Sequence, residues 1–403
     1  MSDTANGPLS DIEVVEICSA IAGPFVGKNF ADSGARVTKV EPLEGATYRN
    51  RPLGYDTHDS EDFVYRFMSY NTGKDSIALD LKTDAGKEIL WALIDEADVL
   101  VENMRSGSME RLGFEWEEMC GRNPELIYCS ITGYGDEGPY RDWPAMDTTI
   151  QAVSGWADQI SRNKDPETMD VFAIDHVTAM YAIIGILMAI IERSTTGEGQ
   201  RVDVAMYDAA ISFLSHHLAE YSAAQNDPGV KAAYAGHFAP NGIFEAADGH
   251  FALFVPPEVW PAFCEHIGHE EFAAEGHRFA TDDGRLEHRI ELRDALQEVF
   301  IERTIEGWID SFDGALRGVV CAPVNEIGDV PDDPQVKVRD LIVTKEHPEL
   351  GSYFVPNTPY RFSRSQQSID DVPAIGQQTD TILRALGYDE SDIDRLRHDE
   401  VVR

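Results

Sequence analysis

Over roughly the first two hundred residues, short apolar runs rich in β-branched side chains alternate with stretches whose apolar positions recur at helical spacing. That alternation predicts a parallel sheet wound with helices. Strands are expected at Ile12–Ile17, Ala35–Val40, Ser76–Leu79, Val99–Val101, Leu126–Ser130 and Gln200–Val204, and helices at Pro24–Ser33, Ala85–Glu96 and Met206–Tyr221. Between the last two strands runs the longest apolar stretch, Val177–Ile191. It falls short of the ~18 residues that a membrane span needs and reads as a buried helix.

From about Gln225 the texture changes to Gly and Pro punctuation, with short strands around Ile243 and Phe251 and helices near Pro257–Ile267 and Leu286–Ile301. Beyond Val330 a hairpin-rich stretch leads to two short helices, Thr379–Leu386 and Glu390–Arg397. The expected fold class is α/β. A Rossmann-like large domain with a parallel sheet occupies residues 1–224, a smaller α+β domain 225–329, and residues 330–403 return to the large domain.

Charge narrows the partners. Seventy-two Asp and Glu against 33 Lys and Arg give a formal net charge of −39, which repels a phosphate backbone or an anionic membrane. No nucleic-acid or membrane partner is expected. The acidic excess is spread along the chain, and only nine of the basic residues are lysine; this pattern suggests a halophilic protein. The N-terminal residues lack the basic and apolar regions of a signal peptide. The five cysteines form no CxxC pair, so reduced thiols in a cytoplasmic protein are expected. No metal site is expected, because His216 and His217 lack the spacing of a ligand pair.

Candidate chemistry is sparse. Gly133-Tyr-Gly135-Asp-Glu-Gly138 spells a dinucleotide fingerprint after a strand, but the prolines that follow at 139 and 144 forbid the helix that such a motif must open. It is expected to be a loop. Asp175 stands at the head of the long apolar helix, where it could cap backbone N–H groups. The positive end of the helix is expected to lower its pKa and hold it ionised.

Several strings together resemble the family III CoA-transferases: Ala22-Gly-Pro-Phe25, Gly34 to Pro42, Asn71 to Lys82, Ala97 to Arg105, Asn123 to Gly135, Thr196 to Asp203 and Gly376-Gln-Gln-Thr-Asp380. The resemblance implies that Asp175 is the nucleophile, passing through an aspartyl mixed anhydride and an aspartyl-CoA thioester. It implies that Lys39, Lys74, Asn103, Met104, Arg105 and Arg111 contact coenzyme A. No permanently bound cofactor is implied; the CoA thioester is the substrate. The partners are an acyl-CoA, a small carboxylic acid and a second copy of the chain in an interlocked homodimer.

A loop around Gly236 and His237 would close over the anhydride, and Arg49, Arg51 and His237 are available to anchor a dicarboxylate. Succinyl-CoA as donor and mesaconate as acceptor are the expected pair for a halophilic member. Ile21 stands where formyl-CoA transferase carries Gln, and Met146 where the racemases of this fold need a histidine. Methionine has no proton to exchange, which favours transfer over the alternative, a 2-methylacyl-CoA racemase.

Overall fold

A computed structural model describes residues 7–49, 64–161, 165–226, 238–347 and 351–403. The described residues form two compact units. The first draws on Met1–Ser161, Pro166–Ser215 and Lys337–Arg403, the second on Arg162–Asp165 and His216–Val336.

In the first unit the chain runs β1 (Glu13–Ile17), α1 (Ala22–Asp32), β2 (Arg36–Glu41), α2 (Tyr65–Tyr70), β3 (Asp75–Ala78), α3 (Asp84–Glu96) and β4 (Val99–Glu102). It continues through α4 (Ser108–Leu112), α5 (Trp116–Arg122), β5 (Ile127–Thr132), α6 (Asp147–Ser154), α7 (Trp156–Ser161), α8 (Ala173–Thr196), β6 (Arg201–Ala205) and α9 (Met206–Phe213). The six strands pair in parallel in the order β3-β2-β1-β4-β5-β6. This is the doubly wound order, which reverses direction between β1 and β4.

Both faces of the sheet are covered, so the strands read as continuous apolar runs. Period-two alternation divides them between two cores. Val15, Leu100 and Tyr128 face α3 with Ile89, Leu90 and Ile94. Val14, Val99, Val101, Ile127 and Cys129 face the other way, onto Val26 and Phe30 of α1 and Ala179, Ala182 and Ile186 of α8. Thr83 starts α3 by accepting a 3.0 Å hydrogen bond from the Gly86 nitrogen.

The chain end belongs to this unit. Leu79 forms an antiparallel bridge with Val402, and the Asp80 nitrogen donates to the Val401 carbonyl at 2.9 Å. Leu383, Ile393 and Leu396 complete the α3 side of the core.

Three expectations change. The helix expected over Met206–Tyr221 breaks at Leu214, and a separate helix spans Ser215–Asn226. The long apolar helix begins at Ala173, two residues before Asp175. Its 24 residues are long and apolar enough to cross a membrane, yet one side is packed into the sheet. Its opposite side exposes Met180, Tyr181, Ile184, Met188 and Ile191.

The second unit has its own core, with Phe251, Phe263, Leu296, Phe300 and Trp308 between helices and a three-stranded antiparallel sheet of Asn241–Ala246, Gly249–Phe254 and Val320–Pro323.

Candidate active site

The strand order reverses where β1 and β4 lie side by side, so the loops leaving their carboxyl ends diverge and open a crevice. Asn103, just past β4, stitches the two loops together there. Its Oδ1 accepts from the Ser19 nitrogen at 2.8 Å, and its Nδ2 donates to the Ser19 carbonyl at 2.7 Å.

Above this point lies a cavity of about 690 Å³, lined by Ser19, Ala20 and Ala22 after β1, Asn103, Met104 and Arg105 after β4, Gly133 after β5, and Met146, Asp147, Phe172 and Asp175. A second cavity of about 470 Å³ continues over β1, β2 and β3 and shares Ser19, Asn103 and Met104 with the first.

Asp175 is the third residue of α8. The residue before the helix is Phe172, in the left-handed region at φ 50°, with no side-chain cap of its own. Asp147 supplies the cap from α6: its Oδ2 accepts from the nitrogens of Ile174 and Asp175 at 2.8 and 3.0 Å. Gln151, one turn further along α6, bonds the other Asp147 oxygen and grips the Met169 backbone, donating to its carbonyl at 2.9 Å and accepting from its nitrogen at 2.8 Å.

Both expectations for Asp175 are therefore corrected. It does not cap the helix. Its pKa is not lowered but pushed up to about 7, chiefly by burial and then by the Asp147 carboxylate. The favourable helix end is already occupied by Asp147.

His176 braces the same turn. Its Nδ1 lies 2.8 Å from the Phe172 carbonyl and its Nε2 3.3 Å from the Tyr70 hydroxyl, with Phe25 edge-on to the imidazole. Burial, and then the charge of Asp175, raises the pKa of Tyr70.

Three guanidiniums line the larger cavity: Arg105, Arg111 and Arg141. Ser106 organises two of them. Its hydroxyl accepts from Arg141 Nε at 3.0 Å and its carbonyl from Arg111 at 3.5 Å. Among the described residues none of the three pairs with a carboxylate, although acids outnumber bases more than two to one in the chain. Three guanidiniums together give this cavity a locally positive potential in an otherwise acidic protein.

The structure separates the residues expected to bind ligand. Asn103, Met104, Arg105 and Arg111 lie on the cavity that holds Asp175. Lys39 and Lys74 do not: both are buried beneath the sheet end and paired with Glu16. A desolvated ammonium needs such a partner, and each has spent its charge there. Arg49 is also fully buried, donating to Glu41 at 2.9 and 2.7 Å. Burial raises the pKa of Glu41, but Arg49 outweighs it and holds the carboxyl below its ordinary range.

Arg51, Gly236 and His237 lie outside the described residues. The Gly133–Gly138 segment is a loop; no helix follows before Asp147. Gly133 is required there because a side chain would collide with the Ala145 Cβ, 2.2 Å away.

The switch point of a doubly wound sheet is where proteins of this α/β class open a ligand crevice. The narrower class follows from comparison with known proteins. Residues 9–379 match CoA-transferase family III, and the chain belongs to that family of enzymes.

Among its relatives, the succinyl-CoA:mesaconate CoA-transferase of Haloarcula marismortui is 31% identical over 95% of this chain and 97% of its own length. The acetyl-CoA:oxalate CoA-transferase of Acetobacter aceti is 31% identical over 89% of this chain and 90% of its own. The human succinyl-CoA:glutarate CoA-transferase is 31% identical over 96% and 88%. In crystal structures, a CAIB/BAIF family protein from Brucella suis, 31% identical, superposes with a TM-score of 0.82 over 94% of this chain and 100% of its own.

Proposed function

We propose that the enzyme moves coenzyme A from succinyl-CoA to a C4–C5 dicarboxylic acid such as mesaconate, with Asp175 as the covalent carrier. The observation that carries this reading is the half-buried Asp175 carboxylate, its pKa raised by desolvation, on the wall of an arginine-lined cavity. The Asp175 carboxylate attacks the thioester carbonyl and expels CoA thiolate, giving a mixed anhydride. The thiolate attacks the aspartyl carbonyl and releases the donor acid, leaving aspartyl-CoA. The acceptor carboxylate then attacks that thioester, and the returning thiolate collects the new acyl group and restores Asp175.

Arg105, Arg111 and Arg141 suit the phosphates of CoA, and the cavity over β1–β3 suits the rest of the nucleotide. Met146, on the cavity wall beside Asp147, offers no exchangeable proton, which supports transfer over racemisation.

With Arg49 consumed by Glu41, Arg66 is the candidate for the far carboxylate of the acid. It lies 4.9 Å from the Phe172 ring and 5.6 Å from that of Tyr48, both on the cavity wall, and has no carboxylate partner among the described residues. The relatives named for mesaconate, oxalate and glutarate support a dicarboxylate acceptor.

The exposed apolar stripe of α8 supports a homodimer that covers it. The acidic surface supports a halophilic, cytoplasmic enzyme. The test is transfer from succinyl-CoA to mesaconate in concentrated KCl, with hydroxylamine trapping of the carrier. Hydroxamate formed at Asp175, and loss of transfer in Asp175→Ala, are expected; turnover retained in that variant would refute the reading.

A further inference from the structure

The two lysines that lie outside the cavity point to a device beneath it. Glu16 of β1 is flanked by Lys39 of β2 and Lys74 ahead of β3, with Nζ to Oε distances of 2.7 and 2.6 Å and no exposed side-chain area in any of the three. A buried ion pair is by itself weak evidence for stability, since an apolar replacement of similar volume is often neutral or better. What sets this triad apart is where its remaining donors go. Lys39 Nζ donates to the Cys18 carbonyl at 2.8 Å, and Lys74 Nζ to the Pro24 carbonyl at 2.9 Å and to Asn71 Oδ1 at 2.9 Å.

Cys18 directly follows β1 and Pro24 is the third residue of α1, so the two carbonyls flank the turn that joins them. Between them lie Ser19, Ala20 and Ala22, which line the cavity with Asp175. Ala20 sits in the left-handed region at φ 61°, a conformation that a residue with a Cβ holds only when its surroundings over-determine it. Helix α1 rests directly on the triad: a Cβ at Gly27 would lie 1.9 Å from Glu16 Oε2.

We infer that Lys39 and Lys74, bridged by Glu16, are positioning residues that clamp both ends of the Cys18–Pro24 turn and so fix the wall on which the acyl-CoA lies. The clamp touches no substrate. It rests on the proposed function only for the identity of that ligand.

The direct test uses the charge-balanced pair Glu16→Gln with Lys74→Met, which removes one charge of each sign. Hydrogen exchange of the turn amides is expected to rise about ten-fold, with that of the later α1 turns unchanged. The acyl-CoA KM is expected to rise about ten-fold while kcat stays within about three-fold. A purely structural role would lower the active fraction and leave KM where it was. Unchanged turn exchange and unchanged KM in the folded variant would overturn the clamp.

The wild type supplies a second arm should the paired variant not fold. Burial, only partly opposed by Glu16, lowers the pKa of Lys74 to about 8. The titratable groups facing it are Glu16 on β1, the Cys18 thiol just after β1, whose pKa burial raises, Lys39 on β2, and Asp32 on α1 with its partner Lys28. Above pH 8 Lys74 loses its proton and the acyl-CoA KM should climb. Because the native lysine binds its proton more weakly than the unfolded one, stability from this group rises over the same range, so unfolding cannot mimic the effect. A KM flat from pH 7 to about 9.5 would refute the clamp. Failure of the proposed function would show elsewhere, as transfer surviving in Asp175→Ala, with the turn-exchange result untouched.

Discussion

The Asp147 carboxylate accepts a hydrogen bond from the backbone nitrogen of Asp175 at 3.0 Å, so the group that caps α8 also opposes ionisation of the side chain beside it. Positioning and poise share one residue. The logarithm of kcat/KM should rise with pH through an apparent pKa of about 7 and decline above pH 8, where loss of the Lys74 proton raises KM. Asn is as good a cap as Asp, so Asp147→Asn should keep the helix start and shift this limb to lower pH. A limb that stays in place would mean that Asp147 adds nothing to burial, the larger cause.

The same shift makes a prediction about heat stability. The folded pKa of Asp175, about 7, stands above the ordinary 3.8. Its contribution is therefore fully present below pH 3.8 and is lost as pH rises through 7. Asp175→Asn escapes that loss. Calorimetry should find the variant inactive, roughly 2 °C or more above wild type in Tm at pH 8, and level with it near pH 4.

Gln151 is fully buried and serves both Asp147 and the Met169 backbone. Gln151→Leu strands one donor, the Met169 nitrogen, and two acceptors, the Met169 carbonyl and an Asp147 oxygen, which costs about 1–3 kcal/mol in urea unfolding. Turnover should fall as well, because the start of α8 loses its brace. Unchanged stability would show that water replaces the amide at no cost.

Arg49 and Arg66 should part company. Arg49→Met leaves Glu41 buried without its partner and should destabilise the fold by about 3–5 kcal/mol. Arg66→Gln should leave stability within about 0.5 kcal/mol. It should raise the KM for dicarboxylate acceptors about ten-fold while sparing monocarboxylates. An equal effect on both acid classes would remove Arg66 as the anchor.

A net charge of −39 repels itself in dilute buffer and is screened as the Debye length falls to about 3 Å near 1 M salt. Tm should be higher in 2 M than in 0.1 M KCl. Equal midpoints would reject the halophilic reading.

Much of this was legible in sequence because it is local. Val14, Val15, Val99 and Leu100 announce strands by composition, whereas Asp175 stands out only through the resemblance of the surrounding strings to the family, its position alone suggesting no more than a helix cap. Asp147 and Gln151 were missed because their partners lie 28 and 18 residues away, and no periodicity links a loop carbonyl to a helix cap. Lys39 and Arg49 were assigned to ligand although a signal existed. Lys39 and Glu41 fall inside a strand covered on both faces, where a charge must find a protein partner. Phe172 gave no warning, since nothing in its side chain favours a left-handed backbone.

The bridge between Leu79 and Val402 also bears on synthesis. Until residues 376–402 have been synthesised, Leu79 is held only on its Glu41 side, and the seats of Leu383 and Leu396 stand open. A chain cut before residue 376 would carry Asp175 and the cavity arginines yet leave an unsealed apolar groove on the α3 side. The contacts of residues 376–402 thus seal the α3 side of the core.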